Sequence, residues 1–516
     1  MRLIKAGENF FQQQPFLLYL LLFVVAAGLF TYLQADPTFA DPDSFYHAKM
    51  ALILRDQGTI TEFPWLSATN LKYSFIDHHF LYHLLLVPFV TFFDPLLGLK
   101  IATILFASLA VVIFYWFLRQ LQVKGAFWYS LFLLTVNPFI FRLNLAKAQA
   151  LVLILILITL YFLFSRRYLA LLFTGFLYVW LYAGWPLLLL LLLVYFLVSW
   201  FKSRSVRDWL VVRKITAKVR KQQLKLMLAG VLGLAVGLFF NPYFGKNLAF
   251  YWQQSIKIAV FNYQYIIDVG NEWYPYPISS LLTAAIPFFV LLFLAFLVFL
   301  VTSKKQSAQS WFFLVLTLIF LALTLKSRRN VEYLVPLALI FSALSLGLFW
   351  PRAKKFLANY RLNTLTITAV FVIVLAFFYR DISVVKTAYQ QGFAFTKFAA
   401  PAQWLAEQTP AKSIVFHSDW DEFPLLFYHN DRNYYLVGLD PTFMYLYDPN
   451  LYWRWVALTT GQTADDLYAT IKDLFGADYV FVDRQSNSAF DRNLANNIYF
   501  EKVFENNEAR IYQVLK

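Results

Sequence analysis

The residues best suited to chemistry in this 516-residue chain crowd into one polar stretch, 36–79, set between long apolar segments. It carries Asp36, Asp41, Asp43, Asp56, Glu62 and Asp77 together with His47, His78 and His79. Carboxylates and imidazoles at this density can act as general bases or hold a divalent cation. Two runs stand out, DPDSFYH at 41–47 and FIDHH at 75–79. Asp43 also has an ordinary use, capping a helix that would run from Ser44 to Arg55. Two smaller clusters lie far along the chain. Glu272 sits in DVGNEWYPYP beside Trp273 and Tyr274, and KSRRN at 326–330 brings Arg328 and Arg329 together.

Membrane helices must position these groups. Sixty per cent of the residues are apolar, 20% are aromatic and only 14% are charged, against about 25% charged in a typical soluble domain. The chain has no cysteine, which excludes a disulfide framework, cysteine-ligated zinc and a thiol nucleophile. A crossing helix takes roughly 20 apolar residues. Such segments fall near 16–35, 96–118, 126–142, 149–164, 168–183, 184–201, 226–243, 280–302, 311–325, 331–350 and 363–379, about eleven spans. The run 80–94 is apolar but short and contains Pro88, and reads as an interfacial or re-entrant helix.

The net charge of +15 is unevenly divided: residues 381–516 hold 11 Lys and Arg against 17 Asp and Glu, leaving 33 basic and 12 acidic residues before them. The basic excess therefore belongs to the hydrophobic part, which argues for topology and against a nucleic-acid partner. Cytoplasmic loops collect Lys and Arg. With the N-terminus inside, the segment 202–225 is an inner loop with nine basic residues, and only Glu8 and Asp208 among the early acids fall inside. The first span reads as a retained anchor. An odd span count places residues 381–516 outside, as an extracytoplasmic α/β domain. Its strand-like runs are 413–417, 434–438, 479–483, IYFEKVF and ARIYQVL, with a helical stretch at 463–476. The expected fold is thus a mainly α polytopic bundle over 1–380, with outer loops 36–95 and 244–279, and an α/β domain over 381–516.

In that topology every cluster faces the outer side. Arg328 and Arg329 then stand where positive charge is disfavoured, which points to a fixed anionic partner such as a lipid phosphate. Arg328 paired with Glu332 at i,i+4 spacing is the plainer alternative. Arg142 ends an Asn-Pro span on the same side, where snorkelling would also account for it. Trp273 and Tyr274 also read as interfacial anchors.

DPDSFYH and the following helix resemble the first outer loop of the catalytic subunit of oligosaccharyltransferases, and by spacing Asp43, not Asp41, matches the catalytic Asp. Glu272 in NEWYP resembles that family's Glu in its long outer loop. Arg329, followed by Tyr333 and Val335-Pro336, resembles the Arg that approaches the donor pyrophosphate, and Arg142 resembles the Arg of the second outer loop. DWDEF at 419–423 is similar in place to the acceptor-reading motif, keeping Trp420 and Asp421. The resemblance implies the GT-C superfamily of multi-spanning glycosyltransferases.

It also implies an activity: transfer of a sugar or oligosaccharide from a polyprenyl-phosphate or polyprenyl-diphosphate donor to a glycan, lipid or protein acceptor at the outer face of the plasma membrane. Asp43, Asp41 and Glu272 form the catalytic group; Arg329, Arg328, Arg142 and Lys147 hold the phosphate; Trp420 and Asp421 bind the acceptor. Where the family has an acidic pair this chain has Gln149 and Leu151, and its acceptor motif has lost the first Trp, the Tyr and the Gly. Both departures suit an acceptor other than protein asparagine. They also favour transfer without a metal; Mg²⁺ or Mn²⁺ held by Asp43, Glu272, His78 and His79 is the alternative. A transporter or glycolipid flippase would place ionisable groups near the bilayer midplane, where this chain has almost none. A non-catalytic partner in envelope glycan assembly is a third reading.

Overall fold

The computed structural model describes residues 15–204, 209–359 and 364–515; Glu8 and Asp208 lie outside the described residues. Helices dominate. Among the described residues six are long and apolar enough to cross a membrane: Phe16–Leu33, Pro95–Gln120, Lys221–Phe239, Ile286–Lys305, Ala308–Lys326 and Arg328–Phe349. A bent pair, Ala126–Leu133 and Asn137–Leu143, makes a seventh if it is one span. Other expected spans are shorter: Gln149–Phe164, Tyr168–Leu181 and Pro186–Phe201 are apolar but fall below the length of a straight crossing. Phe80–Phe92 is a short apolar helix containing Pro88. The 363–379 stretch belongs to a helix that continues to Gln390, Thr364–Gln390. Most of the expected inner loop 202–225 is itself helical, within Trp209–Phe239.

Large apolar side chains line the outside of these helices, including Phe16, Phe293 and Val301 at 72%, 60% and 85% exposure. Contiguous apolar surface of this kind marks a membrane or partner surface. Together with the helices, it makes this an integral membrane protein. Thr159, Thr317 and Thr324 donate their hydroxyls to carbonyls one turn back, so they meet no unsatisfied polar cost inside the bundle.

The chain forms two compact units. The first comprises Met1–Asp36, Ala102–Asn241 and Asn271–Gln390. Its tightest helix pairing sets Tyr168–Leu181 against Trp209–Phe239, where glycines let the backbones meet. A Cβ at Gly233 would lie 2.2 Å from the Leu172 carbonyl oxygen, and one at Gly175 would lie 3.0 Å from that of Gly230. Small residues at such crossings are the usual means of close approach in membranes.

The second unit comprises Pro37–Ile101, Pro242–Gly270 and Gln391–Lys516. It holds a four-stranded sheet in the order β3-β4-β6-β5, with β3 Ile414–His417 parallel to β4 Ala477–Asp483. Strands β5 Phe500–Glu505 and β6 Ala509–Val514 complete it antiparallel. A two-stranded piece pairs β1 Thr38–Phe39 with β2 Phe393–Ala394. The expected strand 434–438 makes only isolated bridges, at Tyr434 and Tyr435, and the chain turns at Leu439, whose φ is 67°. The expected helix 463–476 shrinks to a wide-turn segment, Ala469–Leu474, after Asp466 at φ 55°.

From Pro37 onward the polar stretch is built into this unit and is not a free loop. The Trp65 indole donates to the Asp431 carbonyl at 2.7 Å, and the Ser67 and Ala68 amides donate to Tyr435 and Leu436. Phe63 stacks on Phe75 at 4.7 Å and packs edge-on against Phe427. Such ring pairs add to the area they bury, and Phe63, Phe75 and Phe427 are all fully or nearly fully buried.

Candidate functional site

In the second unit the site begins with a turn. The Asp43 amide donates to Asp41 Oδ1 at 2.9 Å, so Asp41 fixes the backbone from which Asp43 opens the helix Asp43–Gln57. A carboxylate there also meets the positive end of the helix dipole. Asp43 is half-buried, while Phe45, Tyr46 and His47 behind it are buried. Lys49 reaches Asp431 at 3.1 Å and ties the same helix to the C-terminal segment.

Behind Asp43 lies a chain of buried polar groups that the sequence did not pair. Asp77 Oδ2 stands 2.7 Å from His83 Nδ1, and His83 Nε2 stands 2.8 Å from His47 Nδ1. All three residues are at most 3% exposed. Asp77 Oδ1 accepts from the His79 amide at 3.0 Å, which starts the helix carrying His83. Tyr46 lies against His83; its phenol is pushed well above the usual range by burial and then by Asp77, Tyr243 and Asp43. The His78 and His79 rings lie 4.1 Å apart at a tilt of 45°, and His78 also meets Phe250.

The proposed acceptor motif forms a tight turn after β3. Asp419 caps it, with its side chain and that of Glu422 reciprocally bonding backbone amides. Trp420 and Asp421 are half-buried at its crest. Burial, and then the neighbouring carboxylates Asp419, Glu422 and Asp43, push the Asp421 carboxyl up to about 8. So raised, the carboxyl keeps its proton to a higher pH than a free one does. Asp419 and Glu422 are its neighbours in sequence, but the burial and the approach of Asp43 come from the fold.

The first unit holds the cations. Val136 is extended at the break, and Pro138 sits in the first turn of the second helix, where a missing donor costs no hydrogen bond. The two helices meet at 77°, which sets Arg142 in the second of them, Asn137–Leu143. Arg142 is 7% exposed. It donates to Glu272 Oε2 at 2.6 Å and to Glu332 Oε2 at 2.9 and 3.1 Å. Arg329 lies 3.6 Å from Glu272 Oε1, donates to the Tyr182 hydroxyl at 2.6 Å and stacks over Trp273 at 4.3 Å. Burial raises the Glu272 carboxyl, but Lys147, Arg142 and Arg329 outweigh it and hold the group well below the carboxylate range.

Arg328 does not pair with Glu332. Its guanidinium donates to the Pro275 carbonyl at 3.2 Å and lies over Tyr276, while its amide donates to Tyr274. Glu332 belongs to Arg142 instead, because Arg142 comes from a helix 190 residues earlier that no spacing rule could bring to it. Arg142 is likewise not snorkelling; it is clamped. Glu332 Oε1, Tyr178 Oη and Gln149 Oε1 are buried with no hydrogen-bond partner. Gln149 is buried at the start of the helix Gln149–Phe164. Among the described residues no three His, Asp or Glu side chains are grouped to hold a metal ion.

No family model and no curated protein matches the chain. Solved structures do. The archaeal oligosaccharyltransferase AglB from Archaeoglobus fulgidus, in complex with an inhibitory peptide and a dolichol-phosphate, is 14% identical with a TM-score of 0.65, over 94% of this chain and 71% of that one. ArnT from Cupriavidus metallidurans, bound to undecaprenyl phosphate, is 14% identical with a TM-score of 0.55, over 96% and 97%. The arabinofuranosyltransferase AftD from Mycobacteria is 13% identical with a TM-score of 0.55, over 96% and 40%. The chain has the fold of these GT-C glycosyltransferases.

Proposed function

We propose that this protein is a glycosyltransferase that moves a sugar from a polyprenyl-phosphate donor to an acceptor at the outer face of the membrane. The observation that carries this reading is the cation cluster of the first unit. Arg142, Arg329 and Lys147 act on Glu272, and Glu272 and Glu332 hold the two guanidiniums in fixed directions. Three cations around two carboxylates leave positive charge unspent. Preorganised charge of this kind stabilises the negative charge that develops on a departing phosphate. The solved structures of shared fold hold dolichol-phosphate and undecaprenyl phosphate, lipids of the class such a cluster would take.

In this reading Arg329, Arg142 and Lys147 bind the donor phosphate, with Arg328 at the rim. Asp43 accepts the hydrogen bond of the acceptor hydroxyl or amide and orients its lone pair. The acceptor attacks the anomeric carbon, and the electron pair of the carbon–oxygen bond leaves with the phosphate, so no enzyme nucleophile is needed. Asp41 shapes the Asp43 turn, and Trp420 with Asp421 contacts the acceptor. Transfer proceeds without a metal, because Gln149 and Leu151 supply no charge where carboxylates would be needed. The N-terminus and the segment 202–225 face the cytoplasm, residues 381–516 lie outside, and the shorter apolar helices bring the span count to about eleven. The charge asymmetry supports this topology.

The test is product analysis with the purified protein and radiolabelled undecaprenyl-phosphate sugars, offered lipid, glycan and peptide acceptors, before and after exhaustive chelation. Transfer of label to one acceptor class is expected, with the rate kept after chelation. No transfer from any polyprenyl-phosphate or polyprenyl-diphosphate donor refutes the proposal.

A further inference from the structure

We propose that residues 242–266 form an interfacial element lying on the bilayer surface, with Leu248, Trp252, Phe261, Tyr265 and Ile266 set into lipid. Lys246 and Lys257 then face anionic phospholipid headgroups. The chain here is helical, first as Lys246–Trp252 and then in wider turns over Gln253–Phe261. One side of it is already used: Asn247, Phe250, Tyr251 and Ile258 are buried. Phe250 meets His78 at 5.3 Å and Phe443 at 6.3 Å, and the Asn70 amide donates to Gln253 Oε1 at 3.1 Å. The other side is apolar too. Trp252, Phe261 and Tyr265 are 62%, 71% and 88% exposed, and Leu248 and Ile266 are exposed as well. A helix apolar on both sides is not built to face water.

The wide turns shape this side. Leu248 and Trp252 share a face at i,i+4 spacing. Nine residues past Trp252, at about 100° per residue, a regular α-helix would carry Phe261 to the opposite face. Wider turns rotate less per residue, which returns Phe261 to the exposed side.

Covalent connections say what covers it. Pro242 comes three residues after Phe239, where the apolar span Lys221–Phe239 ends. Tyr243 packs edge-on against Phe80 at 6.3 Å. Phe80 opens the short apolar helix Phe80–Phe92, which leads after two residues into the span Pro95–Gln120. A Cβ at Gly98, near the start of that span, would lie 2.3 Å from the Phe89 carbonyl oxygen, so the two helices meet backbone to backbone. The element is therefore tethered to the ends of two spans, at the level of the headgroups. Its charge suits that level: across residues 240–267 the charged residues are Lys246 and Lys257, with no Asp or Glu. Lysines near an anionic surface are drawn to it, and Trp and Tyr favour the interface. Nothing in this placement depends on sugar transfer.

The chain has no cysteine, so single labels test the proposal in the full-length protein reconstituted into lipid nanodiscs. Phe261→Cys and Tyr265→Cys are labelled with a polarity-sensitive bimane, and Asn496→Cys, exposed in the C-terminal segment, is the aqueous reference. Both interfacial labels are expected to emit at shorter wavelength than the reference, to be quenched by lipids carrying a nitroxide near the headgroup, and to be shielded from iodide. Either label decides the matter if the other variant fails to reconstitute. Iodide quenching as strong as at Asn496→Cys overturns the proposal. Shielding from iodide without nitroxide quenching also overturns it, since a second copy of the chain would then cover the face. Replacing phosphatidylcholine with phosphatidylglycerol should deepen the nitroxide quenching at low salt, and Lys246→Gln with Lys257→Gln should abolish that gain. Equal quenching in the two lipids with both lysines present overturns the headgroup contact.

Discussion

At the scale of single residues the two aspartates of DPDSFYH separate cleanly. Asp41 acts by accepting the Asp43 amide, which an asparagine oxygen can still do. Asp43 carries its carboxylate at the half-buried N-terminus of the helix. Asp43→Asn is therefore expected to abolish transfer with an unaltered melting temperature, and Asp41→Asn to lower kcat only mildly; the reverse order in a transfer assay would move the active carboxylate by two residues. Arg329→Ala should weaken the donor more than the acceptor. A charge-assisted hydrogen bond contributes about 1.5–3 kcal/mol, so the apparent donor affinity should drop roughly tenfold or more in titrations of donor concentration. Asp421 gives a pH prediction. Its folded-state carboxyl, near 8, lies above its ordinary 3.8, so between those values the folded state binds more protons than the unfolded one. Stability from this group is present at low pH and is lost as pH rises towards 8. Asp421→Asn should therefore flatten the pH dependence of melting between pH 4 and 8 and raise the melting temperature on the alkaline side; an unchanged profile would show that the Asp421 carboxyl is ionised throughout.

At the scale of elements the cation cluster depends on the helices that seat its partners. Tyr182 ends the helix Tyr168–Leu181 and holds Arg329. That helix is seated by Gly175 and Gly233, and the Trp180 indole donates to the Gly237 carbonyl at 3.1 Å. A side chain at Gly233 meets backbone, which cannot move aside. Gly233→Leu is expected to lower the melting temperature by several degrees and to weaken donor binding through Tyr182. Tyr182→Phe should weaken donor binding without the thermal loss. Equal thermal loss in both variants would assign Tyr182 a packing role only. The spacing Gly233–Gly237 is visible in the sequence, but it names no partner helix. The short helices show the opposite limit: apolar composition announces Gln149–Phe164 and Tyr168–Leu181, while their ends are set by the Asn144–Ala148 connection and by Tyr182 leaving the helix in extended conformation.

At the scale of the whole molecule the charge division makes the proposed topology testable. The absence of cysteine makes the test direct. Asn496 and Lys221 are exposed. In right-side-out vesicles Asn496→Cys should react with a membrane-impermeant maleimide and Lys221→Cys should react only after permeabilisation. Labelling in the opposite sense would reverse the topology and remove Asp43 from the outer face. The membrane character itself follows from composition: a chain with 60% apolar residues and exposed Phe and Val along its helices has no stable state in water that covers them.

By itself the sequence determined the membrane bundle, the C-terminal α/β segment, and the residue types gathered near 43, 272 and 329. Those signals are local, since hydropathy, charge and short motifs read along the chain. Only the tertiary structure decided which groups meet. Glu332 reads as a neighbour of Arg328, yet it clamps Arg142 from 190 residues away. His83 lies in an apolar helix with no motif around it, yet it joins Asp77 to His47. Asp421 reads as an ordinary carboxylate until the fold buries it and brings Asp43 near it. Pairing of charges and the protonation state that follows depend on distance in three dimensions, and a Coulomb interaction between residues 190 positions apart leaves no periodicity for a sequence to show.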